Sequence, residues 1–171
     1  AFKELVTLDN QKRKLHKEDL LIADDKKPLA LAGTMGGLDS EVTEFTVSIA
    51  LEAAHFDSVA IAQNSRRHIL SSEASRRFER GVDPALAEVA SARAAQLLVE
   101  FAGATYLGTA SKVSAIAKRT AAVSAQEISD LIGTTYSDKE LQKALTSIGC
   151  GMKKNGKKWS VALPSWRPDL H

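Results

Sequence analysis

Apolar and polar positions alternate most regularly over residues 45–53. Phe45, Val47, Ile49 and Leu51 fall on one side of an extended chain, and Thr46, Ser48, Ala50 and Glu52 on the other, so the pattern predicts a strand. Its second side is small and polar and ends in a carboxylate, which suits either water or the wall of a cavity. Shorter apolar runs at 5–8, 20–23 and 29–32 also read as strands. The last two are joined by Asp24-Asp25-Lys26-Lys27-Pro28, which makes them a pair. Gly33-Thr34-Met35-Gly36-Gly37 reads as a plain loop, because no Lys follows it as in a phosphate-binding loop.

The period changes over 84–102. Leu86, Val89, Ala90, Ala94, Leu97, Leu98 and Phe101 form one helical stripe, opened by Asp83-Pro84 and ended by Gly103. This stripe predicts a core scaffold. Asp57 is placed to cap a short helix running through Gln63, and residues 106–108 begin a further strand. A joint is expected at 111–118, after which local signals are dense. Ser124 with Glu127 and Ser137 with Glu140 are capping boxes, whose helices end near Gly133 and Gly149. Leu141, Leu145 and Ile148 supply the buried stripe of the second. Asn155-Gly156 between two strand-like runs is a hairpin signal. The class this predicts is α+β: a mixed-sheet domain with a long helix over 1–113, then a small two-helix plus β-hairpin, winged-helix-like domain over 114–171.

Composition changes this picture little. With 44% hydrophobic and 26% charged residues in 171, one ordinary domain or two small ones can bury a core. The net charge of +2 is uneven: residues 1–113 carry 14 Lys/Arg against 16 Asp/Glu, and 114–171 carry 9 against 5. The basic C-terminal part favours an anionic partner. Cys150 stands alone, which leaves no disulfide framework and points to a reducing compartment. There is no signal peptide and no apolar run long enough to span a bilayer. The start at Ala1 and the loop-like end at His171 fit a piece of a longer chain.

Candidate chemistry concentrates in Ser71-Ser72-Glu73-Ala74-Ser75-Arg76-Arg77-Phe78-Glu79-Arg80-Gly81-Val82-Asp83-Pro84. Arg76, Arg77 and Arg80 either grip phosphate or carboxylate, or pair with Glu73, Glu79 and Asp83 to hold a turn together. Lys153, Lys154, Lys157 and Lys158 either meet nucleic acid electrostatically or keep an exposed turn soluble. His55 and His68 have no partners at metal-ligand spacing. No nucleophile–base order and no dinucleotide fingerprint stands out.

Five motifs in order carry the reading further: Leu31-Ala-Gly-Thr-Met-Gly-Gly37, Leu51-Glu52, Ser72-Glu-Ala-Ser75, Arg77-Phe-Glu-Arg-Gly-Val-Asp-Pro84, and Pro164-Ser-Trp-Arg167 with Asp169. Together they resemble the beta-subunit family of bacterial phenylalanyl-tRNA synthetases over nearly the whole chain. The resemblance makes 1–113 similar to the latter part of the editing module and 114–171 similar to the small winged-helix-like module after it. It implies a cytoplasmic α₂β₂ ligase that joins phenylalanine to tRNA(Phe) with ATP and Mg²⁺, the adenylate chemistry belonging to the alpha subunit. It implies no membrane and no catalytic residue for aminoacylation here. It also implies that the beta subunit hydrolyses tyrosine wrongly attached to the tRNA.

The editing-pocket positions carried over are Gly36, Glu52, Ser72 and Ala74. Glu52 would accept a hydrogen bond from the tyrosine phenol, Gly36 and Ala74 would leave space, and Ser72 would place the ester or its attacking water. The family often has Thr where Ser72 stands, and it draws further pocket residues, a His among them, from before Ala1. Asp169 resembles the first of several acidic Mg²⁺ ligands, the others of which the resemblance puts beyond His171. The alternative is a non-catalytic RNA-binding or subunit-interaction module.

Overall fold

The computed structural model describes residues 2–112 and 114–170. They form two compact units, one built from the chain up to Val82 with Leu86–Tyr106, the other from Asp83–Ala85 with the chain after Tyr106. The fold is α+β.

In the first unit, β1 (Glu4–Val6) and β2 (Lys12–Lys14) form one antiparallel pair, and β3 (Leu21–Ala23), β4 (Pro28–Leu31) and β5 (Met35–Gly36) form a three-stranded sheet. Every named strand pairing is antiparallel, so two small antiparallel sheets stand where a mixed sheet was expected. The glycine-rich loop is only half a loop. Gly33 and Thr34 turn the chain, and Met35–Gly36 returns along β4 with Ala30 opposite Gly36.

Three helices follow: α1 (Ser58–Arg67), α2 (Glu73–Arg80) and α3 (Leu86–Ala102). Asp57 caps α1 by accepting from the Ala60 amide at 2.8 Å, and the helix runs four residues beyond Gln63. The core is small. Leu5, Leu31 and Leu70 are its centre, with Ile61 and Ala32 fully enclosed. Buried Asn64 on α1 stitches helix to sheet: its amide donates to the Leu20 carbonyl at 3.0 Å and its oxygen accepts the Leu20 N–H at 3.2 Å. Asp19, whose side chain is fully buried, binds His68 Nε2 at 2.8 Å and the guanidinium of Arg67. Burial alone would raise the Asp19 carboxyl, but the His16 amide, His68 and Arg67 outweigh it and hold it below the usual range.

Three expectations fail in this unit. Residues 45–53 form no strand, and Phe45 and Val47 are 82% and 100% exposed. Alternation predicts which side chains share a face; a ladder also needs a neighbouring strand, and among the described residues none pairs with this stretch. The stripe of α3 is helical but not core: Leu86, Val89 and Phe101 are exposed and no α3 residue is buried. Residues 106–108 form no strand.

In the second unit, β6 (Thr120–Val123), α4 (Ala125–Ile132), α5 (Asp138–Ser147), β7 (Gly151–Asn155) and β8 (Lys158–Ala162) follow in order. Both capping boxes form, and Gly133 closes α4 at φ 77°. The hairpin β7–β8 pairs Asn155 with Lys158, and β6 adds to β8 on the far side from β7. Leu141, Cys150 and Val161 are buried. Half-buried Arg119 gathers the tail: Nη1 donates to the carbonyls of Pro168 and Leu170, and Nη2 to those of Pro164 and Arg167, at 2.8–3.3 Å.

Candidate functional site

The charged segment, whose arginines were expected either to grip an anion or to help hold a turn, folds into α2. Ser72 is its N-cap. The Ser72 hydroxyl accepts from the Ser75 amide at 3.1 Å, and the Ser75 hydroxyl accepts from the Ser72 amide at 3.0 Å. Of the three acids set against the arginines, Glu73 pairs with Arg77 Nε at 3.1 Å, an exposed i,i+4 contact worth a few tenths of a kcal/mol (~0.3–0.5). Asp83 instead accepts from the Ala85 amide at 2.9 Å, and Arg76 Nε donates to the Ser71 hydroxyl at 3.2 Å.

Folding α2 turns Ala74 and Phe78, one helical turn apart, toward the β4–β5 hairpin. Between them, the chain of 52–56 and the first turn of α3 lies a cavity of about 490 Å³. That is within the span of small-molecule sites, roughly 300–1,000 Å³. Its wall is mostly alanine, leucine and phenylalanine. Thr34 and Glu52 are the polar side chains in it. One side of Glu52 meets solvent, yet burial by the wall pushes its carboxyl above the ordinary range.

Of the four pocket positions carried over by resemblance, the structure brings Gly36, Glu52 and Ala74 to this one cavity. Gly36 contributes backbone; a Cβ there would fall 3.2 Å from Leu8 Cδ1, so a side chain would meet Leu8. Ser72 is not in the wall. Its hydroxyl proton goes to the Thr34 carbonyl at 2.6 Å, so the group expected to place a substrate or water is occupied in holding the cavity's turn to α2. Thr34, Phe56 and Phe78 were missed by the sequence reading. Phe78 had a signal, since a helix that carries Ala74 on one wall must carry position 78 there too.

The four lysines do not form one free cluster. Lys153 and Lys154 alternate across β7. Lys154 pairs with Asp138 and lies 4.7 Å from the Trp159 ring centroid, and Lys158 pairs with Glu127, so both are tied to helix starts. Asp169 is gripped by Arg167, whose Nε and Nη2 donate at 2.8 and 2.7 Å and hold the carboxyl down at about 2. Among the described residues no group of three His, Cys, Asp or Glu side chains could hold a metal ion. No described helix is long and apolar enough to cross a membrane.

The B3/4 domain model matches residues 2–103, the unit that holds the cavity. The chain belongs to the B3/4 domain family. Residues 121–171 match the tRNA synthetase B5 domain. Similarity to phenylalanine–tRNA ligase beta subunits extends over the whole B3/4 and B5 stretch. The one from Leifsonia xyli subsp. xyli is 46% identical over 99% of this chain and 20% of its own length. Those from Corynebacterium glutamicum and Thermobifida fusca are 44% and 42% identical over 99% and 98% of the chain, again 20% of theirs. The chain thus spans about a fifth of the curated relatives it matches.

Proposed function

We propose that this B3/4 and B5 chain is part of a cytoplasmic phenylalanine–tRNA ligase beta subunit and contributes its hydrolytic editing of tyrosine attached to tRNA(Phe). In this reading 1–113 is the latter part of the editing module and 114–171 the winged-helix-like module that adds tRNA or subunit contacts. The ligase itself, with an alpha subunit, ATP and Mg²⁺, attaches phenylalanine.

What supports the editing role is the meeting of Gly36, Glu52 and Ala74, distant in sequence, in one apolar cavity with a partly desolvated carboxyl. Hydrolysis adds a water oxygen to the ester carbonyl carbon and breaks its bond to the ribose oxygen, which takes the proton; tyrosine and free tRNA result. Glu52 accepts the phenol hydrogen bond. A bare phenylalanine ring offers that carboxyl no donor, so the hydrogen bond favours the ring that carries a hydroxyl. Ser72 acts by holding Thr34 rather than by touching the ester. A hydrogen bond to a charged group contributes roughly 1.5–3 kcal/mol. Glu52→Ala in the complete ligase is therefore expected to narrow the preference for Tyr-tRNA over Phe-tRNA hydrolysis by about tenfold to 100-fold. Deacylation rates of both esters decide it, and an unchanged ratio would remove Glu52 from the role.

A second reading, a subunit-interaction module, is favoured by the exposed apolar residues of 45–51 and α3. It predicts no deacylation by the complete ligase that depends on this cavity.

A further inference from the structure

Two groups in the cavity wall have no part in the reading above. The Phe56 and Phe78 rings lie with centroids 5.1 Å apart and planes tilted by 56°, an arrangement that aromatic pairs favour. Both residues are half-buried and both line the cavity.

Gly33 seats them. It turns the chain from β4 to β5 at φ +59°, and a Cβ there would stand 3.0 Å from Phe78 Cδ2 and 3.1 Å from Phe56 Cδ2. The turn therefore has no room for a side chain beside either ring. Ser72 holds the same turn through the Thr34 carbonyl, so the hairpin, α2 and the two rings are one connected piece. Around the rings the wall is small, with Ala53, Ala54 and Ala74, so space remains for a ligand group to reach the ring faces or edges.

We propose that Phe56 and Phe78 are the surface on which the aromatic ring of the edited amino acid rests, and that they set the preference for aromatic over aliphatic side chains. This rests on the editing reading, and it divides recognition in two. Glu52 distinguishes a ring with a hydroxyl from a bare ring. The phenylalanine pair distinguishes a ring from a branched aliphatic group, which would bury comparable area but lose the ring–ring contact.

The test uses the complete ligase and tRNA(Phe) charged chemoenzymatically with tyrosine, phenylalanine or leucine. Wild type is expected to hydrolyse Tyr-tRNA faster than Leu-tRNA. Phe56→Leu and Phe78→Leu are each expected to lower that Tyr-to-Leu ratio by about threefold to tenfold, the worth of an aromatic pair beyond its area. Phe78→Tyr should keep it. Glu52→Ala should lower the Tyr-to-Phe and Tyr-to-Leu ratios together and leave the Phe-to-Leu ratio, which the two leucine variants lower, as it is in wild type. Each ratio is taken on one preparation, so partial unfolding cancels. Binding of 3′-tyrosylamino-3′-deoxyadenosine against its leucyl counterpart reads the same preference without turnover. An unchanged Tyr-to-Leu preference in both leucine variants would overturn the ring surface while leaving Glu52 in place. A wild-type ligase that hydrolyses none of the three esters would overturn the editing reading, and this proposal with it.

Discussion

At the start of α5, Ser137 accepts from the Glu140 amide and returns its own proton to the Glu140 carboxylate at 2.7 Å, so the box closes on itself. At the start of α2, Ser72 accepts from the Ser75 amide in the same way, but its proton goes to Thr34, 38 positions earlier. The box at α5 finishes a helix. The one at α2 also ties that helix to a turn in the cavity wall. The same serine therefore has a local role in one unit and a long-range role in the other, and the neighbour at N3 decides between them. Glu140 has a carboxylate to take the serine proton. Ser75, fully buried, turns its own proton to the Ser72 carbonyl at 3.0 Å.

The largest expected effect that sharpens this contrast lies where two backbone stretches meet in the first unit. A Cβ on Gly37 would stand 2.6 Å from the Leu29 carbonyl oxygen, a backbone contact that no side-chain rotation relieves, and 2.9 Å from Leu5 Cδ1. Gly37→Ala should cost about 3 kcal/mol in a urea melt of the first unit. Gly149→Ala in the second unit is strained by its φ of +89°, but the atoms it meets belong to the exposed Trp166 ring, which can move. Its cost should be about 1–2 kcal/mol. Equal losses would mean that the first unit is no more tightly determined than the second.

Next come the serines themselves. Ser137→Ala should cost about 1 kcal/mol, the worth of a cap. Ser72→Ala should cost about 2 kcal/mol, because the Thr34 carbonyl loses its donor as well. Ser72→Asp separates the two terms: a carboxylate caps the helix but has no proton for Thr34, so it should recover only the cap. Denaturant midpoints of the three variants check this, and full recovery by Asp would break the comparison.

Acid gives the smallest effect. Asp19 has a carboxyl held below its ordinary 3.8. A depressed carboxyl contributes stability that is fully present above its unfolded pKa and lost as pH falls through the folded one. The first unit should therefore weaken below about pH 4, and Asp19→Asn should remove that part of the acid dependence. Asp169 is depressed too, but it is exposed and screened, so Asp169→Asn should leave the acid melt of the second unit nearly unchanged. Melting temperature against pH for the two variants reads both.

The second unit was largely legible because its signals are local. Two Ser-x-x-Glu boxes and an Asn-Gly turn state their structure within four residues. Its one missed strand, β6, is Thr-Ala-Ala-Val, whose two central alanines break any apolar–polar alternation, and it forms by pairing with β8. In the first unit the strongest periodic signal, at 45–53, has no strand to pair with, while α2 was hidden under charges without an apolar stripe. Its box is Ser-x-x-Ser, a weaker signal than one ending in Glu. Gly36, Glu52 and Ala74 were reached through family motifs, not through periodicity. Phe56 and Thr34 carry no local mark at all, because only the fold brings residues 34, 56 and 78 to one wall.

Arg119 can be described in the language of coordination. Its guanidinium sits among four carbonyl oxygens as a dehydrated cation sits in a ligand shell, with the chain itself wrapped into the cage. The segment from Pro164 to Leu170 thus carries its own counter-ion, covalently attached and impossible to chelate away. Lysine in that position would bring the charge on a single nitrogen, too few directions for four oxygens. The tail that presents Arg167 and Asp169 is ordered by an ion that never leaves.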